Sequence, residues 1–151
     1  MIIIISSCTI NVSIIFAFDK FQVKNIRPDN QLTILSWNIK MFPKPYGYLF
    51  KPYQRARDIS KFLRSLNGYD IIFFQEAFSK GARNSIFREI KNIYPYQINP
   101  ESHPGLFKIN SGLWVISRIP ITLIQGISFT QTRKADRLSS KGAKLYSIII
   151  N

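Results

Sequence analysis

An uninterrupted apolar run at residues 71–74 ends directly at Gln75 and Glu76. The run lacks the alternation of apolar and polar residues that marks a half-exposed strand, so it predicts a strand covered on both faces, as in an α/β domain. Glu76 then stands at the carboxyl end of that strand, where ligand sites gather in such sheets. A lone glutamate there is more often a solvated or N-capping side chain, so the run alone assigns no function.

The segments around this strand predict an α/β fold. Residues 32–37 predict a first strand, residues 53–66 carry apolar side chains at helical spacing, and Asn67-Gly68 ends that helix before the strand at 69–75. The order strand, helix, strand predicts a right-handed crossover with the two strands parallel, although a mixed sheet also fits.

The second half of the chain predicts a different arrangement. An amphipathic helix over 80–93 is followed by three strands, at 112–117, 121–130 and 144–150, with no helix between them. Successive strands favour antiparallel pairing added to one side of the sheet. The 151 residues, 46% of them hydrophobic and 19% charged, are enough for one globular core.

Residues 1–18 are mostly apolar and carry no charge. They are short for a spanning helix, so they predict either a signal peptide or an apolar N-terminal segment without a targeting role. The first alternative gives a secreted or cell-envelope protein, and the second a cytoplasmic one. Residues 19–30 predict a linker, and 31–151 a single domain. The only cysteine, Cys8, excludes an internal disulfide and a cysteine-based zinc cluster.

The charge balance is strongly basic. Twenty-one lysine and arginine residues against eight aspartate and glutamate residues give a net charge of +13. This excess favours anionic partners, namely nucleic acid, phosphorylated lipid or an anionic membrane surface. The basic residues are scattered along the chain, which is typical of solvated helix faces, so a dedicated nucleic-acid patch is not predicted.

Four segments carry a family resemblance: ILSWNIKMFP (34–43), YDIIFFQEAF (69–78), NSGLWVISRIPI (110–121) and DRLSSKGAKLYSI (136–148). In order and spacing they resemble the endonuclease/exonuclease/phosphatase superfamily, and the last two resemble its bacterial neutral sphingomyelinase branch. The resemblance implies the amino-terminal part of a DNase I-like four-layer α/β sandwich, with a mixed sheet flanked by helices. It also implies a metal-dependent phosphodiesterase, acting on phospholipid head groups rather than nucleic acid and contacting a membrane surface.

The resemblance also implies site residues. It places the metal-binding carboxylate on Glu76, with a divalent cation, usually Mg²⁺, that needs few protein ligands. It places a site amide on Asn38, which can share the metal or donate to a phosphate oxygen, and which is otherwise a common turn residue. Asp136 and Lys141 match charged positions that support the site, the lysine by meeting a phosphate; a surface loop before a strand explains them equally well.

The resemblance implies less about the roles of two other matched positions. Phe78 corresponds to an aromatic residue near the site, although packing of the following helix explains it equally well. Asn110 stands where similar enzymes usually carry an acidic residue, so its contribution is in doubt.

The family's later motifs, Asp-x-Asn and Ser-Asp-His, do not occur in the chain, and the only histidine, His103, matches no family motif. Without a general base the rate falls on the order of 10²- to 10⁴-fold, so we expect this chain alone to be incomplete and inactive. Two alternatives stay open. One is an endonuclease of the same superfamily, and the other is a catalytically dead basic module that binds membrane or nucleic acid.

Overall fold

The computed structural model describes residues 2–6, 11–17, 31–43, 50–65, 68–101, 109–128 and 142–149. Within these ranges the chain forms eight strands and two helices. The strands are β1 (Ile2–Ser6), β2 (Asn11–Ala17), β3 (Gln31–Asn38), β4 (Ile71–Gln75), β5 (Tyr96–Ile98), β6 (Trp114–Ser117), β7 (Ile121–Ser128) and β8 (Gly142–Ile149). The helices are α1 (Pro52–Ser65) and α2 (Lys80–Ile90).

A five-stranded mixed sheet, in the order β2-β3-β4-β6-β5, forms the centre of the molecule. β3 and β4 are parallel and are joined through α1, which confirms the predicted strand, helix, strand unit. β6 pairs antiparallel with β4, and β5 pairs antiparallel with β6. The mixed α/β fold class expected from the sequence is therefore confirmed.

The last two strands leave this sheet, contrary to the expectation that they extend it. β7 and β8 pair antiparallel and, with β1, form a second sheet in the order β1-β8-β7. Tyr146 and Ile148 of β8 are buried against Ile34 and Phe73 of the central sheet. The second sheet thus covers the face of β3 and β4 that the helices leave open, which removes its apolar side chains from water.

The two faces of the central sheet bury two separate cores. On one face, Leu35, Ile72 and Phe74 pack against apolar side chains of α1 and α2. On the other, Leu32, Ile34, Ile71, Phe73 and Val115 pack against β8. The run at 71–74 is buried throughout because its alternate side chains enter different cores.

The apolar N-terminus forms strands in the structure. β1 pairs parallel with β8 over five residue pairs, and β2 pairs parallel with β3 over seven. Each of the two strands is the edge strand of a different sheet. Cleavage of residues 1–18 stays a prediction, and the proposed linker at 19–30 lies outside the described residues.

Among the described residues, no helix combines the length and the hydropathy that crossing a bilayer requires.

Candidate active site at the carboxyl ends of the parallel strands

The parallel pair β3 and β4 brings the ends of two strands to one edge of the sheet. The register pairs Asn38 with Gln75, so Glu76 is the next residue beyond the pair. The Ile39 amide donates to the Gln75 carbonyl at 3.0 Å and extends the ladder by one residue. Asn38 and Glu76 therefore leave adjacent strands at the same edge, as the sequence predicted.

Glu76 has a left-handed backbone, with φ of 55°. For a residue with a side chain this conformation costs about 1–2 kcal/mol, so its neighbours must hold it. The Met41 amide donates to the Glu76 carbonyl at 2.9 Å, and the Ala77 amide donates to the Gly112 carbonyl at 2.9 Å. The left-handed turn also ends the in-out alternation of β4, which would otherwise direct residue 76 toward the helix-covered face with Phe74.

The loop after Glu76 is fixed by a buried arginine. Arg83 of α2, 4% exposed, donates through Nη1 to the Ala77 carbonyl and, at 2.9 Å, to the Phe78 carbonyl. Burial lowers the pKa of Arg83 to about 10, so its guanidinium stays charged at neutral pH. This charge-assisted pairing places a rigid support directly behind Glu76. Arg83 could not be predicted from the sequence, because nothing in the pattern of an amphipathic helix distinguishes one arginine from another.

Asn110 closes the same loop from the other side. Its Nδ2 donates to the Phe78 carbonyl at 2.9 Å, while its Oδ1 accepts from the Gly112 amide at 2.9 Å. An ionised aspartate could accept the second bond but could not donate the first. The amide at 110 therefore stabilises the loop that carries Glu76.

Gly112 is needed where this loop meets β6. Its φ is 67°, and a Cβ added there would lie 2.6 Å from the Phe78 ring. Phe78 is 9% exposed and its ring packs 5.6 Å from that of Phe42. Phe78 therefore packs against the segment after β3 and against Gly112. A role for it in packing the following helix, or near the site, stays a prediction.

Asn38 forms a turn with its own chain. Its Oδ1 accepts from the Lys40 amide at 3.1 Å. Since an atom that accepts from a backbone N–H must be the oxygen, the other end of this amide is Nδ2. Nδ2 has no hydrogen-bond partner among the residues that the structure describes, nor has the Glu76 carboxylate.

A cavity of about 190 Å³ lies between the two sheets beside this edge. Gln75 contributes to its wall, and Gln75 Nε2 donates to Ser36 Oγ at 2.7 Å. The remaining lining residues are Phe73, Phe74, Leu113, Trp114, Val115, Gly142, Ala143, Lys144 and Tyr146. Asn38 and Glu76 are not among them, so the cavity adjoins the strand ends without enclosing them.

Lys144 gives this largely apolar cavity a buried charge. It is 4% exposed, and its Nζ lies 3.5 Å from Oε1 of Glu101, which is half exposed. Within the described part of the chain, Nζ makes no hydrogen bond. Burial, with a smaller contribution from Glu101, raises the pKa of the Tyr146 phenol above its usual value. The burial of Lys144 was not predicted from the sequence, because nothing in its mostly apolar strand indicates that a lysine is enclosed.

The other predicted site residues, Asp136 and Lys141, lie outside the described residues, as does His103. In the described ranges, no three Cys, His, Asp or Glu side chains are grouped closely enough to hold a metal ion together. Two of the predicted site residues, Asn38 and Glu76, are thus placed at one sheet edge, and their shared role stays a prediction.

Comparison with known families agrees with this architecture. Residues 35–147 match the model of the endonuclease/exonuclease/phosphatase family, and this match spans more than half of the chain. The chain belongs to the endonuclease/exonuclease/phosphatase family. The family is named for its endonucleases, exonucleases and phosphatases. A comparison with curated proteins found no match.

Solved structures with a similar fold include bacterial sphingomyelinase C and beta toxin. Sphingomyelinase C from Streptomyces griseocarneus is 24% identical with a TM-score of 0.60, covering 78% of this chain and 44% of its own. SmcL is 26% identical with a TM-score of 0.63, covering 78% and 43%. A beta toxin double mutant from Staphylococcus aureus, with bound magnesium ions, is 23% identical with a TM-score of 0.55, covering 76% and 47%. The chain spans less than half the length of these structures.

Proposed function

We propose that this chain carries the metal-binding part of a phosphodiesterase that acts on phospholipid head groups. The observation that carries the proposal is Glu76 itself. A carboxylate without a partner among the described residues stands on a left-handed backbone at a strand end, next to Asn38 on the adjacent strand. Holding a residue with a side chain in a left-handed conformation lowers stability, and such positions concentrate at functional sites.

The residues present fit a magnesium ion. Mg²⁺ keeps several waters and takes one or two carboxylates together with a substrate phosphate, so a full protein cage is not required. Glu76 would hold the ion, and the second lone pair of Asn38 Oδ1 could add a ligand. When bound, the ion would polarise the phosphodiester and offset negative charge in the transition state.

The protein groups around Glu76 have separate tasks in this proposal. Asn38 Nδ2 donates to a non-bridging phosphate oxygen, because its Oδ1 is already oriented by the Lys40 amide. Arg83 and Asn110 act as positioning residues that hold the loop 77–79 and therefore the Glu76 backbone. Asp136 and Lys141 are proposed to support the phosphate from the segment before β8.

Phospholipid is preferred over nucleic acid because the solved structures similar to this chain include a sphingomyelinase and a toxin. A toxin-like role would suit an exported or envelope-bound protein, and we propose that location. An endonuclease is the second candidate, since it would share Asn38 and Glu76 and is favoured by the net charge of +13.

Metal binding tests the site without requiring turnover. We expect Glu76→Gln to weaken Mn²⁺ binding at least about ten-fold, as measured by electron paramagnetic resonance of the free ion, because it removes the charged ligand. Glu89→Gln is the matched control, since Glu89 is half exposed and already paired with Arg64. Equal Mn²⁺ affinity in the wild type and Glu76→Gln would refute the assignment.

The substrate is tested with the longest product of the gene. Metal-dependent release of phosphocholine from sphingomyelin, abolished by Glu76→Gln, supports the phospholipid proposal. Metal-dependent nicking of plasmid DNA without phosphocholine release would instead assign the endonuclease. Metal binding with neither activity would favour the catalytically dead binding module.

A further inference from the structure

We propose that an exposed surface beside Glu76 docks the protein onto anionic phospholipid bilayers. This surface, the aromatic–lysine rim, consists of the exposed side chains of Phe50, Tyr53, Lys40, Lys51 and Lys80. The partly buried Phe42 and the buried Phe78 support it from within. The choice of a lipid partner rests on the proposed function.

Phe50 packs into a row of three aromatic rings, and Tyr53 stands at the start of the next helix. The Phe42 ring lies 5.0 Å from the Phe50 ring and 5.6 Å from the Phe78 ring. The Tyr53 hydroxyl packs against Gly81, 2.5 Å from where a Cβ would stand, and so lies at the start of α2. Phe50 is 41% exposed and Tyr53 is 54% exposed. Exposing two large rings has a cost in water that a partner surface would remove.

Three lysines adjoin these residues along the chain. Lys40 follows Asn38 by two residues, Lys51 follows Phe50, and Lys80 begins α2 next to the Phe78 loop. All three are exposed, and none forms an ion pair with a carboxylate within the described residues. The rim therefore presents free positive charge as well as exposed aromatic surface.

Backbone strain is concentrated at the same place. Among the described residues, the non-glycine positions with positive φ are Lys40 at 47°, Lys51 at 43° and Glu76 at 55°. Lysine gains nothing from the left-handed region, so two strained lysines flanking the candidate site are a cost to the fold. Strained residues collected around one edge indicate that this edge is shaped for an interaction.

A bilayer with anionic lipids fits this combination best. Aromatic side chains partition to the interface between lipid headgroups and acyl chains, and lysines near an anionic surface are attracted within a Debye length. Because the rim borders Asn38 and Glu76, docking would place the candidate site against the headgroup layer. A nucleic-acid duplex would be attracted by the lysines, but it offers no apolar layer that would cover the exposed Phe50 and Tyr53.

Vesicle binding in the presence of EDTA tests the rim without hydrolysis. Large vesicles of phosphatidylglycerol and phosphatidylcholine are sedimented with the 151-residue chain, and pure phosphatidylcholine vesicles serve as the neutral comparison. We expect Lys51→Gln combined with Lys80→Gln to weaken binding about ten-fold or more, since each lysine contributes roughly five-fold near such a surface. Phe50→Ser combined with Tyr53→Ser should weaken binding about ten-fold.

Matched controls separate the rim from general charge and hydrophobicity. Lys61→Gln with Lys91→Gln removes the same charge from exposed positions, Lys91 being at the opposite end of α2 from Lys80. Ile124→Ser with Ile127→Ser removes two apolar side chains of β7 that are 57% and 59% exposed. Both control pairs should change vesicle binding less than about three-fold, with circular dichroism confirming that every variant is folded.

Each outcome bears on the proposal. No binding of the wild type to anionic vesicles, or equal losses in rim and control pairs, overturns it. Losses confined to binding of a short DNA duplex, with vesicle binding unchanged, overturn it in favour of nucleic acid. Vesicle binding that depends on the rim, in a full-length product that releases no phosphocholine, supports the docking surface while refuting the proposed function.

Discussion

Glu76 shows how one residue can combine a chemical group with a stability cost. Its carboxylate has no partner among the described residues, and its backbone occupies the left-handed region. The surrounding chain holds it through the Met41 amide and through Arg83 and Asn110 on the following loop. The side chain at 76 can therefore be altered without dismantling the structure that positions it.

A glycine at position 76 should separate function from stability. Glu76→Gly relieves the left-handed strain but loses backbone entropy in the folded state, so we expect a gain of about 0.5–1 kcal/mol in the free energy of unfolding. Glu76→Gln retains the strain and should stay within about 0.5 kcal/mol of the wild type. Urea denaturation of the three proteins measures both, and a destabilised Glu76→Gly would show that the carboxylate contributes to folding.

At the scale of elements, β8 decides how the central sheet is covered. Its Tyr146 and Ile148 close the second core, while Lys144 on the same strand enters the cavity near Gln75. Burial raises the pKa of Tyr146 and also that of Tyr69, which follows α1. Ionisation of these two tyrosines at alkaline pH therefore opposes the packing of β8 and of the segment after α1.

Stability should fall as the pH rises above about 10, the ordinary pKa of tyrosine in the unfolded chain. A raised folded-state pKa means that the unfolded state releases its proton first, so ionisation favours unfolding. Arg83, whose pKa is lowered to about 10, has the opposite sign and stabilises the fold as pH rises beyond that value. We expect Tyr146→Phe to flatten the fall between pH 9 and 11 in urea denaturation.

The exposed Tyr96 provides the control for this pH profile. Tyr96 is 41% exposed, so Tyr96→Phe should leave the profile unchanged. A Tyr146→Phe profile that superimposes on the wild type would show that Tyr146 ionises as freely in the folded state as in the unfolded state.

At the scale of the whole molecule, the two sheets depend on the N-terminal segment for an edge each. β2 pairs with the outer edge of β3, whose end carries Asn38, and β1 pairs with the outer edge of β8. Without these strands, two rows of unpaired backbone groups would be exposed, and such edges template association between chains.

Removal of residues 1–17 should therefore make the chain associate. The deletion abolishes seven residue pairs with β3 and five with β8, and we expect oligomers or aggregates in size-exclusion chromatography under conditions where the full chain elutes as a smaller species. A deletion variant that elutes as a folded monomer would contradict the edge role of β1 and β2. It would agree instead with a signal peptide that is removed from the mature protein.

The sequence by itself determined the strand, helix, strand unit, the strand end that carries Glu76 and the family. These follow from local periodicity and from short motifs, which are written in consecutive residues. The short strand β5 was not predicted, because three residues are too few to show the alternation of apolar and polar side chains. The assignment of β7 and β8 to a second sheet could not be predicted from the sequence, because it depends on which apolar face of the central sheet they cover.

Only the tertiary structure decided how Glu76 is held and what surrounds it. Asn110 and Gly112 meet the loop after β4 from a distant part of the sequence, whereas Arg83 meets it from the first turns of the next helix. The rim joins side chains from the segment after β3 and from the starts of α1 and α2. Contacts of this kind have no local signature, because a side chain's partner is set by packing rather than by its neighbours in the chain. The same reason explains why Lys144, on an apolar strand, becomes a buried charge beside the site only after the two sheets have closed.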